Sequence, residues 1–287
     1  MTSGVVGDGV VVALGGGGVR GVAHLGVLDA LTEAGLTVRG LAGTSSGAWM
    51  GALWLTEPTL AMEKVREFVT VGGLARLPDM RGLSRDTGWL RRWAKRAQTV
   101  WGLGRVLVHR QRMSAAAFLE AVGFLVPEIA IEDLPIPFVA VAVDSATGAQ
   151  VFLDRGPLRV AVAASSAMPG LAPPVHWEGR RLQDGGAVAE IPVQAARRLG
   201  SPVLAVEVSE ALPASDPDRN RVHRAMFRAA AMGWQALRER MLAEADHVLA
   251  PEVNHLHWAE FESVDTAYQA GRAAAWAWVN SQGRCGS

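Results

Sequence analysis

The chain has 287 residues, 49% hydrophobic and 20% charged, a composition typical of a globular protein with material for a sizeable core. Lysine plus arginine and aspartate plus glutamate each number 28, so net charge does not indicate nucleic acid as a partner. The single cysteine, Cys285, excludes an intrachain disulfide. The first residues lack the features of a signal peptide and no apolar run approaches ~20 residues, so we expect a cytoplasmic protein.

Strands and helices alternate along the first part of the chain. Residues 10–14 are uniformly apolar and predict a buried strand. Apolar residues then recur at helical spacing from Val22 to Leu31, and Gly35 marks the end of that helix. A second strand is predicted over residues 37–42, and a second helix over residues 46–55. This order is typical of parallel strands joined by helical crossovers.

The same alternation continues towards the C-terminus. Residues 138–143 and 150–153 predict a hairpin or adjacent strands, and residues 158–167 a helix that ends before Pro169. Further strands are predicted at 203–208 and 247–250, with a long helix near 221–245 between them. We therefore predict an α/β fold, a three-layer α/β/α sandwich with a mainly parallel central sheet. One domain over 1–287 would have its core at about 10–208 and a C-terminal helical part at about 209–287.

Residues 81–112 differ from the rest of the chain because they are basic and rich in tryptophan. This stretch holds nine lysines and arginines against one acid, Asp86, and contains Trp89, Trp93 and Trp101. Two interpretations remain open for this insertion. It is either a lid helix with a solvated basic face, or a peripheral contact with an anionic membrane surface at the inner face of the membrane.

Four consecutive glycines, residues 15–18, lie between the first strand and the first helix. Such a loop is expected to present free backbone amides at the positive end of a helix dipole, which suits an anion. Gly16, Gly18 and Gly21 match the dinucleotide pattern G-x-G-x-x-G, but the second strand ends without the acid that would hold a ribose. The alternatives are an oxyanion hole for acyl transfer and a turn that serves packing alone.

Residues 43–47 read Gly-Thr-Ser-Ser-Gly, which is the G-x-S-x-G pattern of a nucleophile elbow. The pattern falls between a predicted strand and a predicted helix, where such an elbow belongs. Ser45 is therefore a candidate nucleophile, and the alternative is that it only caps the following helix.

A serine nucleophile needs a proton acceptor, and two kinds of candidate are present. Asp184 precedes Gly185 and Gly186, which would let backbone approach closely, although Asp-Gly pairs also occur in ordinary turns. An aspartate with its ordinary pKa near 3.9 is a weak general base at neutral pH. A conventional Ser-His-Asp triad would instead use His247, His255 or His257.

These motifs, in this order, resemble the patatin-like phospholipase family. Residues 16–21, 43–47 and 184–186 match its three motifs, and residues 164–169, Ala-Ser-Ser-Ala-Met-Pro, followed by Pro-Pro-Val at 173–175, resemble a fourth. The chain is most similar to compact bacterial members and to the catalytic domain of neuropathy target esterase. The resemblance implies a dyad without histidine, with Ser45 as nucleophile and Asp184 as proton acceptor.

The resemblance also implies an oxyanion hole and a substrate class. Its amides would come from Gly16, Gly17 and Gly18, braced by Arg20. The supporting motif glycines are Gly21, Gly43, Gly47, Gly185 and Gly186. Substrates of the family are phospholipids, lysophospholipids and other acyl esters, with no metal or cofactor. Trp49 and Trp54 either line an acyl pocket or pack in the core. A non-catalytic lipid-binding regulatory protein remains the alternative of a different class.

Overall fold

The computed structural model of the protein describes residues 9–71, 73, 113–209 and 222–282. The predicted lid or membrane contact at 81–112 lies outside the described residues. No helix within the described ranges is both long enough and apolar enough to cross a bilayer.

The eight described strands form one mixed sheet, whose hydrogen-bonded neighbours can be followed along the path β5-β6-β3-β2-β1-β7-β8, and β4 also pairs with β3. Strands β3, β2, β1, β7 and β8 are parallel, whereas β4 and β6 run antiparallel to β3, and β5 antiparallel to β6. Their bounds are β1 Gly9–Leu14, β2 Thr37–Thr44, β3 Phe138–Asp144, β4 Gln150–Leu153, β5 Val175–Trp177, β6 Arg180–Asp184, β7 Val203–Val206 and β8 His247–Leu249.

Helices cover both faces of this sheet, which confirms the three-layer α/β/α sandwich. Along β1, Val10, Val12 and Leu14 belong to one hydrophobic cluster and Val11 and Ala13 to the other. Helices α1 to α5 and α9 pack in the first cluster, and α6 to α8 in the second. Their bounds are α1 Ala23–Glu33, α2 Ser46–Thr56, α3 Ala61–Thr70, α4 Ala115–Val122, α5 Leu158–Ser166, α6 Gly186–Ala189, α7 Val193–Leu199, α8 Val222–Ala243 and α9 Val264–Gln282.

Burial on both faces explains why β1 carries an unbroken apolar run. Every residue of this strand is buried, so neither face tolerates a polar side chain. The predicted strands and helices outside 81–112 are present, with bounds that differ by a few residues. The hairpin of β5 and β6 was not predicted. Its two strands are too short and too polar to show a pattern in the sequence, and they are joined by a turn at Glu178 and Gly179, both with positive φ.

The register of β3 brings two distant segments together at one point. Strand β4 occupies one edge of β3, pairing Val141 with Phe152 and Ala142 with Val151. On the opposite edge, β2 pairs Thr44 with Val141, and β6 takes over at the next position by pairing Asp184 with Ala142. The C-terminal ends of β2 and β6 therefore meet end to end beside β3. The residue that follows Thr44 is Ser45.

Candidate functional site

Ser45 stands on a strained turn between β2 and α2. Its backbone has φ 55° and ψ −121°, a conformation that an L-residue adopts at a cost of about 1–3 kcal/mol. The turn needs glycine two residues later, because a Cβ on Gly47 would overlap the backbone carbonyl of Leu14. The same steric limit applies at three further motif glycines, where a Cβ would lie under 3.0 Å from a neighbouring atom: Gly21, Gly43 and Gly185.

Two serines of α5 hold the strained peptide of Ser45. The buried Ser165 hydroxyl accepts from the Ser45 N–H at 3.0 Å and donates to the Val141 carbonyl of β3 at 2.6 Å. The Ser166 hydroxyl donates to the Ser45 carbonyl at 3.3 Å. The motif at 164–169 therefore ties the elbow to the central strand, a role that its sequence does not specify.

The Ser45 hydroxyl donates a hydrogen bond of 2.7 Å to Oδ2 of Asp184. The other carboxylate oxygen, Oδ1, accepts from the Gly186 N–H at 2.8 Å, which fixes the orientation of the carboxylate. The Asp184 N–H donates to the Ala167 carbonyl at 3.1 Å. The structure thus brings together the two residues that the sequence motifs single out.

Burial changes the acid–base character of Asp184. The side chain is almost entirely removed from water, and this desolvation raises the pKa from 3.8 to about 6 against the opposing hydrogen bonds from Gly186 and Ser45. The negative charge of Glu190 adds to the increase. At neutral pH the carboxylate is still mostly ionised, yet it binds a proton far more readily than an exposed aspartate. The expectation of a weak base used the ordinary pKa, and burial raises the pKa above that value here.

The glycine loop differs from the prediction that its amides are free. The Gly15 N–H donates to the Val206 carbonyl at 3.1 Å, and the Gly16 N–H to the Glu190 carbonyl at 2.9 Å. The Gly17 N–H donates to the Ser46 hydroxyl at 3.0 Å, a partner that can rotate away. Only the Gly18 N–H has no acceptor among the residues that the structure describes. Tertiary contacts decide which of these amides are hydrogen-bonded, because the acceptors come from distant segments of the chain.

Gly18 lies where the loop faces the site. Its φ is 62°, a left-handed conformation that favours glycine, and a Cβ would collide with the Trp258 carbonyl. Together with Ser45 it lines the same cavity.

Two buried polar side chains brace the loop from below. Nε of Arg20, which is 4% exposed, donates to the Gly17 carbonyl at 3.2 Å. Nε2 of the fully buried His24 donates to the Gly15 carbonyl at 2.7 Å. Burial lowers the pKa of His24 to about 4, so the ring is neutral at neutral pH. The bracing by His24 was not predicted, since the sequence shows only a histidine on the first helix.

A cavity of about 160 Å³ opens beside Ser45. Its described lining contains no charged side chain and is mostly apolar: Trp49, Phe68, Phe118, Leu125, Met168 and Phe261 are among the lining residues. Trp49, for which an acyl pocket and core packing were both open, lines this cavity and also packs against the hydrophobic core. Trp54 is not among the lining residues and instead donates to Asp29 at 3.0 Å.

The histidines considered for a triad lie in other contacts. The His247 ring packs against Trp278, with the centroids 5.4 Å apart, and Nδ1 of His257 accepts from the Ala259 N–H. His255 is exposed. Across the described ranges, no histidine hydrogen-bonds to Ser45 or Asp184. Within those same ranges, no group of three His, Cys, Asp or Glu side chains could hold a metal ion.

Comparison with known proteins gives matches of three kinds. The family model described as Patatin-like phospholipase matches residues 12–197. An uncharacterized NTE family protein of Mycobacterium tuberculosis is 36% identical over 220 residues, which is 74% of this chain and 52% of the relative. The human patatin-like phospholipase domain-containing protein 6 is 29% identical over 254 residues, 87% of this chain and 16% of that protein.

The chain thus spans about half the length of the mycobacterial relative, 52%, and a much smaller part of the human one. A solved structure, VipD from Legionella pneumophila, aligns with 96% of this chain and 67% of its own at a TM-score of 0.45 and 15% identity.

Proposed function

Because the chain belongs to the patatin-like phospholipase family, we propose that it hydrolyses carboxylic esters of lipids with Ser45 as nucleophile and Asp184 as proton acceptor. The observation that carries the proposal is the 2.7 Å hydrogen bond between these two side chains beside an apolar cavity. Nucleophile and base within hydrogen-bond reach, with the base oriented by Gly186, is the arrangement that covalent catalysis requires.

In the proposed first step, Ser45 Oγ attacks the ester carbonyl carbon while its proton passes to Asp184 Oδ2. The carbonyl π electrons move to the oxygen, and a tetrahedral intermediate forms. Its negative oxygen is stabilised by the Gly18 N–H, by the N-terminus of α2, and by the Gly17 N–H once Ser46 releases it. Gly16 is excluded from this role as long as its amide is bonded to Glu190.

The intermediate collapses when Asp184 returns its proton to the leaving alcohol oxygen. The ester C–O bond breaks and an acyl group remains on Ser45. A water molecule then attacks the acyl carbon, again losing its proton to Asp184, and the fatty acid leaves as Ser45 Oγ takes that proton back. A carboxylate with a pKa near 6 is suited to both transfers, because it accepts and returns a proton near neutral pH.

The cavity supports an acyl chain as the group held beside Ser45. An apolar lining without charged side chains favours a hydrocarbon, and each methylene buried contributes about 0.8 kcal/mol to the free energy of binding. We therefore propose phospholipid or lysophospholipid acyl esters as substrates. An intact and well-oriented dyad favours catalysis over a non-catalytic lipid-binding role.

We also propose that the basic residues of 81–112 contact anionic lipid surfaces. Nine cations against one acid in a tryptophan-rich stretch support this proposal, which concerns residues outside the described ranges.

The catalytic proposal is tested by replacing Ser45 with alanine. Wild-type protein should hydrolyse p-nitrophenyl esters and lysophospholipids and react with a fluorophosphonate probe, and Ser45→Ala should lose both reactions while melting at a similar temperature. Ser281→Ala, which changes a serine at the end of α9, is the matched control and should keep both. Labelling that survives in Ser45→Ala would contradict the assignment. Wild-type protein without activity on any ester would favour the regulatory alternative.

A further inference from the structure

Arg238, on α8, joins two carboxylates behind the glycine loop. Its side chain is only 12% exposed. Nε lies 3.0 Å from a carboxylate oxygen of Glu207, directly after β7, and Nη1 lies 3.6 Å from Glu190, directly after α6. The guanidinium therefore links the ends of two elements that are neighbours in space but not in sequence.

Both linked segments anchor the backbone of the glycine loop. The Glu190 carbonyl accepts from the Gly16 N–H at 2.9 Å. The Val206 carbonyl, one residue before Glu207, accepts from the Gly15 N–H at 3.1 Å. Arg238 thus clamps the two segments that hold the loop, without touching Ser45 or Asp184.

The same guanidinium compensates negative charge beside the dyad. Glu190 acts electrostatically on Asp184 and raises the pKa of that carboxyl. Burial raises the pKa of Glu207, Arg238 lowers it, and Glu190 and Glu239 raise it further. Removing the guanidinium would leave Glu190 and Glu207 close together without this cation.

We propose that Arg238 is a positioning residue for ester hydrolysis, which clamps the two anchors of the glycine loop and offsets the charge of Glu190 near Asp184. The inference rests on the proposed hydrolase function. It assigns a role in the reaction to α8, a helix that packs on the face of the sheet opposite the cavity.

The test compares the pH dependence of kcat/KM in Arg238→Gln with that of the wild type. Activity requires ionised Asp184, so kcat/KM falls on the acid side as pH drops through its pKa. In Arg238→Gln, the negative charge of Glu190 is no longer offset by the guanidinium. The acid side of the kcat/KM profile, the acid limb, should therefore move to higher pH by about half a pH unit or more. Loosened anchors should lower kcat about tenfold with little change in KM, because the loop amides act in the transition state.

Charge and packing are separated by a second substitution at Glu190. Glu190→Gln alone should move the acid limb to lower pH, and Arg238→Gln/Glu190→Gln should restore it towards the wild-type position. Arg238→Lys should keep the limb near its wild-type position while recovering only part of kcat. If Arg238→Gln fails to fold, Glu190→Gln and Arg238→Lys still decide the question.

Arg197→Gln is the matched control, since it breaks the ion pair of Arg197 with Asp246 without touching an anchor of the loop. It should leave the acid limb in place. An unchanged acid limb in Glu190→Gln and in Arg238→Gln would overturn the inference, provided that wild-type protein is active and labels at Ser45. Wild-type protein that neither hydrolyses esters nor labels would instead overturn the proposed function.

Discussion

Replacing Asp184 with asparagine should make the protein more stable at neutral pH while it removes the proposed catalytic base. The pKa of Asp184 is 3.8 in the ordinary state and about 6 when buried. A group whose folded pKa is raised contributes stability that is fully present below pH 3.8 and is lost as pH rises through about 6. The difference of about 2.2 pH units corresponds to a cost of about 3 kcal/mol when the carboxylate is ionised.

Asparagine keeps the local hydrogen bonds and removes this cost. Its Oδ1 can accept from the Gly186 N–H, and its Nδ2 can donate to the Ser45 hydroxyl. Urea unfolding near pH 8 should show Asp184→Asn more stable by up to about 3 kcal/mol, and near pH 5 by about half as much, because wild-type Asp184 is then mostly protonated. Ester hydrolysis should fall by about two to four orders of magnitude, the range for loss of a general base.

The control is Asp133→Asn, at an exposed aspartate of a short 3₁₀ turn, which should change neither stability nor activity. An Asp184→Asn protein that is less stable than wild type near pH 8, or equally stable at every pH, would refute the reasoning from desolvation. One that keeps its activity would refute the assignment of Asp184 as base. Loss of activity in His247→Ala, His255→Ala or His257→Ala would favour a triad instead.

Three further predictions concern the loop, the buried histidine and the basic segment. Gly18→Ala should lower kcat about a hundredfold with a smaller effect on KM, measured by steady-state kinetics on folded protein. An increase in KM as large as the decrease in kcat would argue against Gly18 as an oxyanion donor. Burial lowers the pKa of His24 from 6.5 to about 4, so the neutral ring contributes to the stability of the fold above pH 6.5 and this contribution is lost as pH drops below 6.5. The stability of His24→Gln, measured by urea unfolding, should therefore depend less on pH on the acid side than that of the wild type. Reversing Arg91, Arg92, Lys95 and Arg96 to glutamate should weaken salt-sensitive binding to anionic vesicles in a sedimentation assay and leave hydrolysis of a soluble short-chain ester unchanged.

Local patterns in the sequence determined most of the elements and the identity of the two central residues. The apolar run of β1, the helical spacing that follows it and the glycines around Ser45 each reflect a steric or hydrophobic rule that acts over a few residues. Asp184 was recognised by its Gly-Gly neighbours and by the resemblance of the ordered motifs to a known family. Such signals depend on near neighbours in the chain, so they are readable without the fold.

Only the tertiary structure decided how these residues meet and which amides of the glycine loop are already hydrogen-bonded. Ser45 and Asp184 are 139 positions apart and come together because β2 and β6 share one edge of β3. The partners of the Gly16 and Gly17 amides, and the brace from His24, likewise come from segments that no local pattern connects. The raised pKa of Asp184 has the same origin, because desolvation is the sum of everything packed around a group. Burial is a property of the assembled layers, and it raises the pKa of Asp184 from the ordinary value of an aspartate towards neutral pH.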